Sequence, residues 1–137
     1  MSKCSSVTAL VGRILLSLMF LWSGIGKVTA FSFITGYAAA KHLPAPAFII
    51  GAAAAIEILC GLAIVFGFKT KCAAWVLFLY LIPVTLAFHN FWAVQGPEQM
   101  NTVIHFMKNV AIMGGLLMVA AFGAGGISID AACEKKA

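Results

Sequence analysis

Four long apolar runs organise this chain. They cover about 7–26, 46–66, 72–91 and 103–122. A hydrocarbon core about 30 Å thick takes roughly 20 residues of helix to cross, and each run is long enough. The pattern predicts an all-α integral membrane protein built as a four-helix bundle. Between the first two runs, Phe31, Phe33, Ile34 and Tyr37 recur near helical spacing, and "LPAP" (Leu43 to Pro46) closes the segment. The stretch 31–41 reads as a short interfacial helix in the first outer loop, with its aromatics in the headgroup layer. Pro46 opens the second span, where a missing N–H is least harmful. Pro83 falls inside the third span and is expected to kink it and free a carbonyl. "GAGGISID" (Gly123 to Asp130) is a glycine stop signal followed by a short tail.

The polar exceptions to this pattern sharpen it. At 100° per residue, Arg13, Ser17, Gly24 and Lys27 share one face of the first helix. Ala53, Ala54, Glu57, Cys60 and Gly61 share a face of the second. Trp75, Phe78, Ile82, Thr85 and His89 align on the third, and His105, Lys108, Asn109, Ile112 and Gly115 on the fourth. In lipid, small residues mark close helix contacts and polar residues face the bundle interior. The expected result is a compact bundle with an internal seam made of Arg13, Lys27, Glu57, Lys108 and Asn109.

Depth suggests how the seam pairs. Glu57 lies roughly 13 Å from one end of its span and Arg13 roughly 9 Å from the same end, at 1.5 Å per residue. Lys108 enters from the other side. Each unpaired charge at the bilayer centre costs roughly 2.5–3.5 kcal/mol. An Arg13–Glu57 pair, with Lys108 approaching the same carboxylate, is the cheapest arrangement. As plain alternatives, the pair only fixes helix register and Lys108 snorkels to the headgroups.

Composition agrees with the hydropathy pattern. The chain is 63% hydrophobic and 9% charged, where soluble domains sit near half and a quarter. Its 137 residues fit one domain, 1–137. The net charge of +5 does not indicate nucleic acid, because the basic residues punctuate the ends of apolar runs rather than forming a patch. Lys3, Arg13, Lys69, Lys71, Lys135 and Lys136 fall on one side, against Lys27 and Lys41 on the other. The positive-inside rule then puts both termini in the cytoplasm. Lys3, Arg13 and "ILLSLMFLW" also resemble a signal peptide with Val28-Thr29-Ala30 as its cleavage site. The run reaches back to Val7, longer than an h-region, and favours a retained span. Cys4, Cys60, Cys72 and Cys133 form no C-x-x-C pair, so neither a disulfide framework nor a thioredoxin motif is expected. No metal motif is present.

"AFHNFW" (Ala87 to Trp92) ends the third run, and His105 opens the fourth. His89 and His105 are expected to face each other across a short loop. Three readings compete for them, in this order. The first is an interfacial cap, since helix ends tolerate His and Phe88, Phe91 and Trp92 fit a headgroup belt. The second is a quinone headgroup site. It needs a hydrogen-bond donor, a titratable group and a flat apolar cleft, and His89, Asn90, Trp92 and His105 supply these kinds of group. The third is a bis-His haem, disfavoured because helix-edge positions suit a buried porphyrin poorly.

The pieces resemble the DoxX family. They are "GRILLSLMFLWSGIGK" (Gly12–Lys27), "LPAP", "EILCGLAIVFGFKTKCAA" (Glu57–Ala74), "FHNFW" (Phe88–Trp92), "FMKNVAIMGGLLMV" (Phe106–Val119) and "GAGGISID". The resemblance covers about 12–130 and rests on order and spacing rather than on one motif. It implies a four-span bacterial inner-membrane protein. The family takes its name from a subunit associated with an archaeal quinol oxidase and a thiosulfate:quinone oxidoreductase. Some bacterial relatives are linked to membrane oxidoreductase complexes and oxidative-stress defence. By position, the family's polar residues fall on Arg13, Lys27, Glu57, His89, Lys108 and Asn109. The leading expectation is a quinone-associated membrane subunit, at most accessory to an oxidoreductase, with other oxidoreductase subunits or a second copy of itself as partners. A non-catalytic scaffold comes next and a small solute carrier third, since Pro83 is the only hint of the broken helices transporters use.

Overall fold

A computed structural model of the chain describes residues 3–135. Four apolar helices are long enough to cross a membrane. They are α1 (Lys3–Thr29), α3 (Pro46–Phe66), α4 (Thr70–Phe88) and α5 (Pro97–Phe122). A short helix, α2 (Phe31–Ala40), joins the first two spans, and α6 (Ile129–Glu134) ends the described chain. Among the described residues there is no strand. The protein is an all-helical integral membrane protein.

Local sequence explains most boundaries. Pro46 stands in the first turn of α3 and Pro97 in the first turn of α5, where no helical N–H is required. Gly67 ends α3 in the left-handed region at φ +69. The N–H of Phe68 reaches back to the Ala63 carbonyl at 2.9 Å, closing a Schellman turn. Gly67 is also sterically required, because a Cβ there would run into the Arg13 guanidinium and Ser128. α1 and α5 exceed the predicted runs. α1 gains a last turn containing Lys27, and α5 begins at Pro97 rather than 103, including the polar turn Glu98–Asn101. Polar residues at the ends of a span extend the helix past the apolar window without raising its hydropathy. α4 stops at Phe88, so His89 lies just beyond the helix as its C-cap, at φ −126.

The spans pack α1 on α3, α3 on α4 and α4 on α5, with α1 also touching α5. Phe20, Ile64, Leu77, Leu81 and Leu116 are buried where they meet. Gly24 sets the α1–α3 approach: a Cβ there would sit 2.7 Å from Ile58 and 3.3 Å from the Ala54 carbonyl. The face of α4 that turns inward is Ala74, Leu77, Leu81 and Thr85. The sequence stripe placed Trp75 and Ile82 inward, and both are exposed. That stripe was phased on His89, which has left the helix. Pro83 lies within α4, and the helix continues on both sides of it.

Candidate functional site

The polar residues gather at three levels. At the end that holds the described N- and C-terminal segments, Arg13 is 2% exposed and donates to the Ile64 carbonyl at 3.1 Å and the Ile127 carbonyl at 2.6 Å. Beside it, the Asp130 carboxylate accepts from the N–H of Lys69 at 2.8 Å and of Thr70 at 3.0 Å, and from the Thr70 hydroxyl at 2.7 Å. Lys69 precedes α4 without a side-chain cap of its own, so Asp130, from the far end of the chain, caps that helix. Burial alone would raise the Asp130 carboxyl. The donors from Thr70 and Lys69, with Arg13 nearby, outweigh it and hold the carboxyl below its ordinary value.

The middle level centres on Glu57, which is 4% exposed. Lys27 donates to both of its oxygens, at 3.0 and 2.8 Å, and to Ser23 Oγ at 2.6 Å. The Tyr80 hydroxyl donates to Glu57 at 2.7 Å, and Ser23 at 3.3 Å. This corrects the expected Arg13–Glu57 pair. In the antiparallel α1–α3 packing Glu57 lies level with Gly24, and Arg13 is about 16 Å further along α1. Lys27, expected in the seam but just past the end of the first apolar run, reaches Glu57 because α1 continues through it. Lys108 does not reach Glu57 either.

The third level is the end opposite the termini. His89 and His105 stack with ring centroids 5.3 Å apart and planes 22° apart. Lys108 Nζ lies 3.0 Å from His105 Nδ1. Asn109 donates to Thr85 Oγ1 at 3.0 Å, joining α5 to α4 one turn below. Asn90 and Trp92 are not brought into this group. Trp92 is 58% exposed and packs edge-on against Phe91 and Phe106 in a separate aromatic cluster.

A cavity of about 840 Å³ runs between the middle and third levels. Lys27, Glu57, Tyr80, His89, His105 and Lys108 contribute to its wall. Its volume falls within the range of about 300–1,000 Å³ typical of small-molecule sites. The rest of the lining is mostly apolar. Ile34 and Tyr37 of α2 roof it, with Tyr37 stacked on Phe88 at 6.1 Å. Its lining reaches exposed residues on two sides, Met19 and Phe48 on the outer surface of α1 and α3, and Glu98 and Asn101 at the polar start of α5. A smaller hollow of about 530 Å³ among Lys3, Val7, Gly126 and Lys135 gathers no histidine or carboxylate.

The arrangement suits a flat ring with acceptor oxygens. An ammonium offers only donors, so the Lys108 contact makes His105 Nδ1 an acceptor and leaves the ring proton on Nε2. A bis-His haem does not fit. Axial imidazoles aim their nitrogens at iron from opposite sides, and rings stacked face to face leave no room for a porphyrin between them.

Sequence reasoning missed Tyr80, Ser23 and Asp130. Tyr80 carried a signal, being the only tyrosine within a span, where its hydroxyl needs a partner. Asp130 carried none, because its partners lie 60 positions or more away in the chain.

Four spans around a mostly apolar cavity with a few polar groups in its wall define a small helical membrane protein with a ligand-sized site. The chain belongs to the DoxX family, whose model matches residues 8–90. It is 35% identical to "Inner membrane protein YqjF" of Escherichia coli (strain K12) over 136 residues, 99% of each chain. It is 32% identical to "Inner membrane protein YphA" of the same organism, over 90% of this chain and 89% of that one. A shorter stretch of 70 residues, half of this chain and 22% of the other, is 37% identical to "ER-derived vesicles protein ERV29" of Saccharomyces cerevisiae. No solved structure matches the chain.

Proposed function

We propose that the cavity binds the headgroup of a lipid-soluble quinone or quinol, and that the protein serves as an inner-membrane subunit associated with an oxidoreductase. The stacked His89–His105 pair, with Lys108 behind it at the wall of a cavity of about 840 Å³ that also reaches exposed Met19 and Phe48, carries this reading. The bound ring would lie near the imidazoles, with one oxygen accepting from His105 Nε2–H and the apolar tail leaving past Met19 and Phe48. The quinone supplies the electron chemistry. The chain's own residues hold the ring and offer titratable groups beside it. The lysine and arginine distribution puts both termini in the cytoplasm and the histidine end outside. The inner-membrane placement follows that of YqjF and YphA.

Extraction of quinones from gently purified protein tests the reading, with His89→Ala as the comparison. Retention by the wild type and loss in the variant are expected. Equally low retention in both would sink it.

One observation favours a scaffold as the second reading. The Glu57 carboxylate is fully occupied by Lys27, Tyr80 and Ser23, as in a network that only joins helices. A scaffold predicts that the phenotype of every variant follows its abundance. A Lys108→Gln protein that is abundant but inactive excludes it.

A further inference from the structure

The polar groups of the cavity wall are unevenly supplied with partners. The acidic side chains in the wall are Glu57 and Glu98. Glu57 is occupied, and its Lys27 partner has all three of its N–H groups directed to Glu57 and Ser23. Glu98 lies on the first turn of α5, about 15 Å along the helix from Lys108. Lys108 therefore has no counterion. One of its N–H groups goes to His105 Nδ1, and no described residue accepts the other two. His105 is left with a free Nε2–H, and His89 contributes a second ring whose described contact is the stack alone. Donors and one positive charge are in excess where the histidines meet the cavity; the acceptors nearby in the wall are the neutral oxygens of Asn101, Thr102 and Asn109, and no free carboxylate is among them. A half-buried ammonium facing an apolar cavity without a counterion is costly, and the group that best offsets it is an anion.

We infer that the cavity selects a ligand ring bearing an ionised oxygen, an acidic ring hydroxyl seated as its anion between Lys108 Nζ and His105 Nε2–H. The ligand class is a ring-hydroxylated quinone rather than a neutral one. The inference rests on the quinone reading above and narrows it. A charge-assisted hydrogen bond in a low-dielectric wall distinguishes the anion from a neutral ring of equal size. Lys27 does not play this role, because Glu57 already neutralises it.

Binding of two probes to the purified full chain tests this. One is hydroxynaphthoquinone (lawsone), which is ionised at neutral pH, and the other is its neutral methyl ether. The wild type should bind lawsone about tenfold or more tightly than the ether, the worth of one charge-assisted hydrogen bond. The preference should vanish as the pH is lowered until the hydroxyl protonates. It should be lost in Lys108→Gln and kept in Lys108→Arg. Equal affinity for the two probes, or a preference that survives Lys108→Gln, overturns the inference while leaving the quinone reading in place. Binding of neither probe overturns both. The wild-type comparison and its pH profile decide the matter even if the glutamine variant does not fold.

Discussion

Arg13 and Lys108 are both cations on spanning helices, at opposite ends of the bundle, and their surroundings differ in kind. Arg13 is enclosed. Carbonyls from α3 and from the tail accept hydrogen bonds from its two terminal nitrogens, its Nε–H has no partner among the described residues, and Asp130 adds a negative charge close by. Lys108 meets one neutral imidazole and then open cavity. A polar group surrounded by protein partners on several elements ties those elements together. A polar group with donors left over, facing space of ligand size, is arranged for something that arrives. The Lys27–Glu57 pair shows that lining a cavity is not enough. It shares the wall with Lys108, yet its hydrogen bonds are directed inward to Ser23 and Tyr80, as at the Arg13 end.

Variants can sharpen or break this contrast. The largest loss of stability is expected from Glu57→Gln, which leaves the half-buried Lys27 without its counterion. Breaking such a pair costs about 3–5 kcal/mol, and thermal unfolding in detergent measures it. Arg13→Ala should follow, at about 3 kcal/mol for two charge-assisted bonds lost, with quinone bound per folded molecule unchanged. A fall in binding at constant fold would make the two ends one functional unit. Asp130→Asn should cost about 1–2 kcal/mol as a lost cap. The same residue gives a pH dependence. Its carboxyl is held below the ordinary value in the folded state, so its contribution is complete above the unfolded value of about 4 and is lost as pH falls through the lower folded one. Wild-type stability should therefore decline in acid more steeply than that of Asp130→Asn. The smallest stability change, under about 1 kcal/mol, is expected for Lys108→Gln. That variant should nevertheless show a large loss of ligand. A severe loss of stability there would place Lys108 with Arg13 and end the comparison.

Much of this contrast was legible in the chain, though unevenly. His89, His105, Lys108, Asn109 and Glu57 stood out because polar groups in lipid-length runs are costly. The meeting of the two histidines followed from a short connection between consecutive spans. Pairing was not legible. Depth put Arg13 and Lys108 within reach of Glu57 and left Lys27 out. The structure chose Lys27, because Gly24 lets α1 settle against Ala54 and Ile58 with Lys27 one turn from Glu57. Trp92 and Asn90 looked equivalent to His89 in "AFHNFW". The chain leaves α4 at His89 and turns through a 3₁₀ segment, Phe91–Ala93, which takes Trp92 away from the cavity.

The sequence by itself determined the number of spans, the short helix after the first of them and the set of costly polar residues. Those depend on composition within windows of about 20 residues, and lipid enforces them one helix at a time. Only the tertiary structure decided which cation meets Glu57, that Asp130 caps α4 from across the chain, and that Lys108 lines the cavity without a counterion. Those outcomes depend on the stagger and rotation of one helix against another. Small residues at the contacts set both, and no periodicity within a single helix encodes them.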